Sequence, residues 1–196
     1  MTLRSSAVYV PRHFAVEDNV EIVEMVRAAG FGHLVVAAVD GFESIPVPFV
    51  VDDELRSVRA HVARPNPIWR TAPCEALLIV AGRDGYVSPG WYPSKGEDGK
   101  VVPTWNYEVV QLHGRLVLHD DPGWVARQIR DLTDFNEAAM PEPWSVDDPP
   151  DGYVEQLQRG IVGLELDVTR VEAKRKASQN RAEPDRESVL QHLRWP

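Results

Sequence analysis

Six apolar runs, bounded by turn residues and mostly too closely spaced for a helical crossover, constrain this chain more than anything else in it. They are HLVVAAV at 33–39, IPVPFVV at 45–51, SVRAHVA at 57–63, EALLIVAG at 75–82, the stretch from Trp105 to Leu118, and IVGLELDVTRVE at 161–172. β-Branched residues and period-two alternation mark them as strands. The turn sequences VDG at 39–41, DDE at 52–54 and GRDG at 82–85 are expected to join them. Connections this short suit antiparallel hairpins, because a parallel pair needs a long crossover. The expected class is therefore mainly β with peripheral helices (α+β), an antiparallel barrel rather than a doubly wound sheet.

Helices frame these strands. DNVEIVEMVRAAG has Asp18 as cap, Ile22, Met25, Val26 and Ala29 on one face, and Gly30 as terminator. DDPGWVARQIRDLTDFNEAAM starts with Asp121 as cap and Pro122 in the first turn, and Val125, Ile129 and Leu132 form its stripe. PEPWSVDDPPDGY is too rich in Pro for regular structure, and its Trp144 is expected to dock on a neighbour. DGYVEQLQRG is a short helix before the last strand. The polar segment after it, EAKRKASQNRAEPDRESVLQHL, carries Pro184 at the start of a terminal helix.

An apolar content of 43% is enough for a real core. The formal charge of −9 repels phosphate backbones, so direct DNA binding would need a segregated basic patch. Arg170, Lys174, Arg175, Lys176 and Arg181 are the candidates for one, but no helix-turn-helix with a basic second helix accompanies them. The ordinary fate of such a run is a solvated strand end. The single Cys74 cannot form an internal disulfide and reads as a small core residue. No apolar stretch is long enough to span a membrane and the first residues lack a signal-peptide apolar region, so a cytoplasmic setting is expected.

The chain carries no G-x-G-x-x-G, P-loop, H-E-x-x-H, C-x-x-C or G-x-S-x-G. Polar and aromatic residues at strand ends remain. In RAHVARPNPIW, alternation places His61 opposite the apolar face of Val58, Ala60 and Val62, with Arg64, Asn66 and Trp69 at the strand exit. The ordinary reading is a surface histidine above a capped Pro-Asn-Pro turn; the functional one is an imidazole offered to a cofactor. SPGWYPSKGEDGK is a long connection in which Trp91 and Tyr92 argue against simple solvation. Its Lys95, among Gly and Ser, suits a phosphate held with backbone N–H groups. The ordinary reading of that loop is aromatic packing on a partner subunit. His113 precedes Gly114 in mid-strand, where a Gly permits close backbone approach. No general acid, base or nucleophile is assignable.

Taken together, YVPRHF at 9–14, HVARPNPIW at 61–69, YVSPGWYPSK at 86–95, VPTWNY at 102–107, HG at 113–114 and KASQNR at 176–181 resemble the PaiB family. These are FMN-binding proteins described as negative transcriptional regulators. Gly90 and Ala177 are small departures from the family pattern that remove no polar contact. The resemblance implies a split β-barrel of the pyridoxamine-phosphate-oxidase-like type, a homodimer with FMN at the interface and a small-molecule ligand. On it, residues 1–172 form the cofactor-binding domain and residues 173–196 a basic, polar extension with a short helix packed on that domain. Trp105 or Trp91 would supply the flat contact, Asn106 and Asn66 the edge contacts, and Lys95 with Arg64 or Ser88 the phosphate contacts. Tyr92, Lys176, Gln179 and Asn180 complete the expected site with His61. An alternative within the same superfamily is haem b, as in piperazate synthase, an N–N bond-forming enzyme. His61 and Lys176 would then be the iron ligands, and Lys can ligate only when deprotonated. Three classes result: a flavin-dependent redox protein or regulator, a haem enzyme, and a cofactor-free regulator that binds DNA or protein.

Overall fold

The computed structural model describes residues 9–195; residues 1–8, which open the expected first domain, and Pro196 lie outside the described residues. Eight strands form one antiparallel sheet: β1 (Ala15–Val16), β2 (Phe31–Ala38), β3 (Gly41–Pro48), β4 (Val50–Val51), β5 (Ser57–Ala63), β6 (Cys74–Val87), β7 (Thr104–His119) and β8 (Ile161–Lys176). The hydrogen-bonded order is β3-β2-β6-β7-β8-β5-β4, with β1 added to β8. The path does not close on itself, so the barrel is split. The expected class, mainly β with peripheral helices, is the one observed.

Alternation builds the core as the pattern requires. Val58, Ala60 and Val62 of β5 are buried, and so are Leu34 and Val36, Leu78 and Val80, Val110, Leu112 and Leu116, and Leu164 and Leu166 from the neighbouring strands. α1 (Asn19–Ala29) starts where the Asp18 carboxylate accepts the Glu21 amide at 3.0 Å. It ends at Gly30, whose φ of 57° suits a residue without Cβ. Its Ile22, Val23 and Val26 are buried in the main core. α2 (Pro122–Glu137) is capped by Asp121, which accepts the Trp124 amide at 2.7 Å. The short α3 (Tyr153–Gln158) follows, and α4 (Glu183–Leu193) packs against β6 and the loop after it.

Three expectations change. GRDG at 82–85 is not a hairpin turn but an irregularity inside β6, where pairing with β7 shifts register between Ala81 and Asp84. An extra residue in one strand bends the ladder without ending it, and this carries β6 on to Val87. The buried stripe of α2 is Val125, Gln128 and Leu132, so a carboxamide sits fully inside where apolar spacing pointed to Ile129. Trp144 is 46% exposed and anchored by its backbone, whose amide donates to Glu137 Oε2, rather than by docking of its ring. Cys74 is half-buried against the main core.

Candidate functional site

The ladders place the expected site residues at two ends of one sheet. His61 of β5 pairs with Gly163, near the start of β8, while Lys176 pairs with Tyr107 at the opposite end. At about 3.3 Å per residue along a strand, the two regions lie tens of ångströms apart in one protomer.

At the first end, His61 Nδ1 lies 2.8 Å from Oε1 of Gln128 on α2. A carboxamide oxygen only accepts, so this contact selects the Nδ1–H tautomer and leaves Nε2 as the acceptor of the ring. Gln128 Nε2 is a buried donor with no protein acceptor in reach. Arg64 is already committed: it forks across Asp120 at 2.5 and 3.2 Å and donates to the carbonyls of Arg159 and Ile161, both at 3.1 Å. The hydrogen bond holds the Asp120 carboxyl below its ordinary range and raises the guanidinium. Asn66 Oδ1 accepts the Ile68 amide at 3.1 Å, and Trp69 Nε1 donates to Arg64 O at 2.9 Å. Arg64 and Asn66 therefore shape the turn that presents His61. Beside them His119 and Trp124 stack at 4.1 Å with planes 4° apart, an aromatic wall the sequence pattern did not single out.

At the second end, Trp105 is 53% exposed and meets its cross-strand partner Tyr86 edge-on, with centroids 6.2 Å apart. The Lys176 ammonium donates to the Trp105 carbonyl at 2.7 Å and to the Thr104 hydroxyl. Desolvation by burial pushes the pKa of Lys176 below 10.5; Tyr107 opposes this, and the positive charges of Lys174 and Arg181 add to it. Between that lowered value and 10.5 the folded chain holds fewer protons here than the unfolded chain, so raising the pH through the window favours the fold. The stability difference between wild type and Lys176→Met should therefore change in favour of wild type as pH rises across it. Denaturant titrations at several alkaline pH values check this, and a flat difference would refute the depressed amine.

Asn106 is fully buried and exchanges hydrogen bonds with Ser178 at 3.1 and 3.2 Å. Ser178 adopts φ 60°, and the carboxamide locks this left-handed exit from β8. Gln179 bridges the Ala177 amide and the Arg175 carbonyl, both at 2.6 Å, and Asn180 is exposed. Asn106 and Gln179 thus hold the strand exit that carries Lys176. In the loop after β6, Ser88 Oγ accepts the Gly90 amide, Trp91 stacks on His192 at 4.9 Å, and Arg181 lies 4.7 Å over the buried Tyr92 ring. Tyr92 Oη is buried without a partner, and Lys95 is exposed. The basic run is partly neutralised: Arg175 pairs with Glu21 and Glu108, and Arg170 with Glu172. Among the described residues no His, Cys, Asp or Glu cluster is arranged to hold a metal ion.

Sequence reasoning missed Gln128, His119 and Trp124. Only the break in the apolar stripe of α2 could have pointed to the first; the other two depend on which segments the fold brings together.

The unclosed barrel carries aromatic pairs at both ends of one face, with the Lys176 ammonium beside one of them. Residues 8–170 match the family described as "Putative FMN-binding domain". The Bacillus subtilis (strain 168) protease synthase and sporulation protein PAI 2 is 31% identical over 191 residues, covering 94% of this chain and 88% of that one. The chain belongs to this FMN-binding, PaiB-type family, and FMN is the cofactor that membership assigns to it. Solved structures share the fold. The flavocytochrome Anf3 of Azotobacter vinelandii superposes with TM-score 0.66 at 18% identity, covering 92% of this chain and 79% of that one. The FAD and heme binding protein of Mycobacterium smegmatis gives 0.63 at 13% identity, covering 87% and 78%.

Proposed function

We propose that this chain is a redox flavoprotein that binds FMN in a slot completed by a second copy of itself. One observation carries the reading: the candidate residues fall into two groups at opposite ends of one sheet face. In register, that face runs Val35–Leu77–His113–Arg170 and His33–Ile79–Gln111–Glu172 across β2, β6, β7 and β8. Phe31 at its margin is 51% exposed, and Val35, Leu77, Ile79 and Val109 are half-buried. A two-fold axis lying in the plane of this face and perpendicular to its strands would lay two copies face to face with the strands reversed, bringing the His61 end of one protomer to the Trp105 end of the other, twice.

The residues fit the group. Isoalloxazine needs a flat apolar wall, and the exposed Trp105 indole offers one; its edge needs donors and acceptors, and His61 Nε2 is of that kind. Lys95 and Lys176 supply positive charge for the phosphate, whereas Arg64 and Ser88 are engaged within the chain. Bound FMN supplies one- and two-electron redox chemistry; these residues bind it, orient it and exclude water. Within one protomer His61 and Lys176 stand at opposite ends of β8, which disfavours an iron shared inside one chain, and the Lys176 amine is already donating to Trp105 and Thr104. Any effect on transcription would run through the flavin, since a charge of −9 opposes contact with DNA.

Titrating the purified chain with FMN while following flavin fluorescence, alongside light-scattering mass, tests this. The expected result is a dimer binding one FMN per chain. Absence of flavin binding overturns the cofactor, and a monomer that binds FMN stoichiometrically overturns the shared slot.

A further inference from the structure

We infer that Asp185 of α4 is a positioning residue, and that α4 holds the loop at 88–96 so that Lys95 faces the flavin phosphate. The inference rests on the FMN reading for its ligand, though not for its geometry. Asp185 is 4% exposed, and its two oxygens accept from a single loop residue: the Ser94 amide at 3.1 Å and the Ser94 hydroxyl at 2.7 Å. A carboxylate is buried at a cost that only well-formed hydrogen bonds offset, so this one ties α4 to the residue next to Lys95.

Other contacts act in the same sense. Ser188 Oγ donates to the Trp91 carbonyl at 2.6 Å, and the Trp91 ring lies on His192. Val189 is fully buried against Val87 and Tyr92 in a small cluster separate from the barrel core. The loop's own backbone hydrogen bonds span only three or four residues, as in Trp91 N to Ser88 O and Lys95 N to Tyr92 O. Its apolar anchors are therefore α4 and the last residue of β6, apart from the barrel core. This also revises the expected phosphate cradle: the Ser94 amide and hydroxyl are taken by Asp185, so the loop offers the Lys95 ammonium in place of a nest of N–H groups.

Two readouts on the full chain test the assignment. In Asp185→Ala, FMN affinity should fall about tenfold, the scale of losing hydrogen bonds to a charged group, while riboflavin, which lacks the phosphate, keeps its affinity within about twofold. Tryptic cleavage after Lys95 should accelerate about tenfold without any flavin present. Ser94→Ala, which removes one hydroxyl and no buried charge, should move both readouts in the same direction and serves if Asp185→Ala does not fold. Equal losses for FMN and riboflavin, or unchanged cleavage after Lys95, would overturn the positioning role. A wild-type chain that binds neither flavin defeats the FMN reading instead, and the cleavage rates still decide whether α4 holds the loop.

Discussion

Trp105→Ala is expected to weaken FMN binding by about one to two orders of magnitude, the scale of losing a stacked aromatic wall. Its indole is 53% exposed and supports no core, so the fold should persist with little change in thermal midpoint. His61→Ala should weaken binding through the other wall of the same slot. The informative case is the mixed dimer of the two variants. If each slot takes its His61 from one protomer and its Trp105 from the other, mixing places both substitutions in one slot and leaves the second with both native residues. Co-expressed, differently tagged chains should then recover about one tight site per dimer, read by fluorescence titration. Two weak sites would mean that His61 and Trp105 do not meet across an interface.

Gly114→Ala is the second large effect, and it falls on the scaffold. A Cβ built at Gly114 lies 2.1 Å from the Asp167 carbonyl oxygen, 2.8 Å from its carbon and 3.0 Å from Val168 Cα. All three are backbone atoms of the paired strand, so no side chain can swing away. The position coincides with the register shift between His113 and Gly114 in the β7–β8 ladder, where the sheet bends. Overpacking of this kind costs about 3 kcal/mol or more. For a chain of this size that lowers the thermal midpoint by about 6 to 12 °C, measurable by circular dichroism. A midpoint unchanged within error would show that the bulge relaxes at no cost.

The dipeptide at 113–114 shows how far pattern reading goes. A Gly in mid-strand announces that another backbone comes close, but the sequence does not say whose. The same holds for Asn66, whose role as a turn cap was readable from Pro-Asn-Pro alone, because its partner lies two residues away. Arg64 was not readable in that way. Its partners, Asp120 and the carbonyls of Arg159 and Ile161, are far along the chain, and they turn an expected phosphate ligand into a structural tie. Asn106, expected at a flavin edge, faces inward to Ser178 for the same reason. The GRDG segment failed differently: turn chemistry and bulge chemistry use the same residues, and only pairing with β7 distinguishes them.

By itself, the amino-acid sequence determined most of the strands, the helix caps at Asp18 and Asp121, the faces of those strands and the family, because each rests on local periodicity, local hydrogen bonds or linear motifs. Tertiary structure alone decided which polar groups are spent inside the protein and which remain for a ligand. It assigned Asp120 to Arg64, Gln128 to His61 and Asp185 to Ser94, and it set His61 and Lys176 at opposite ends of one sheet. The physical reason is that a hydrogen bond depends on proximity and direction in space, and for distant segments only the packed barrel supplies them.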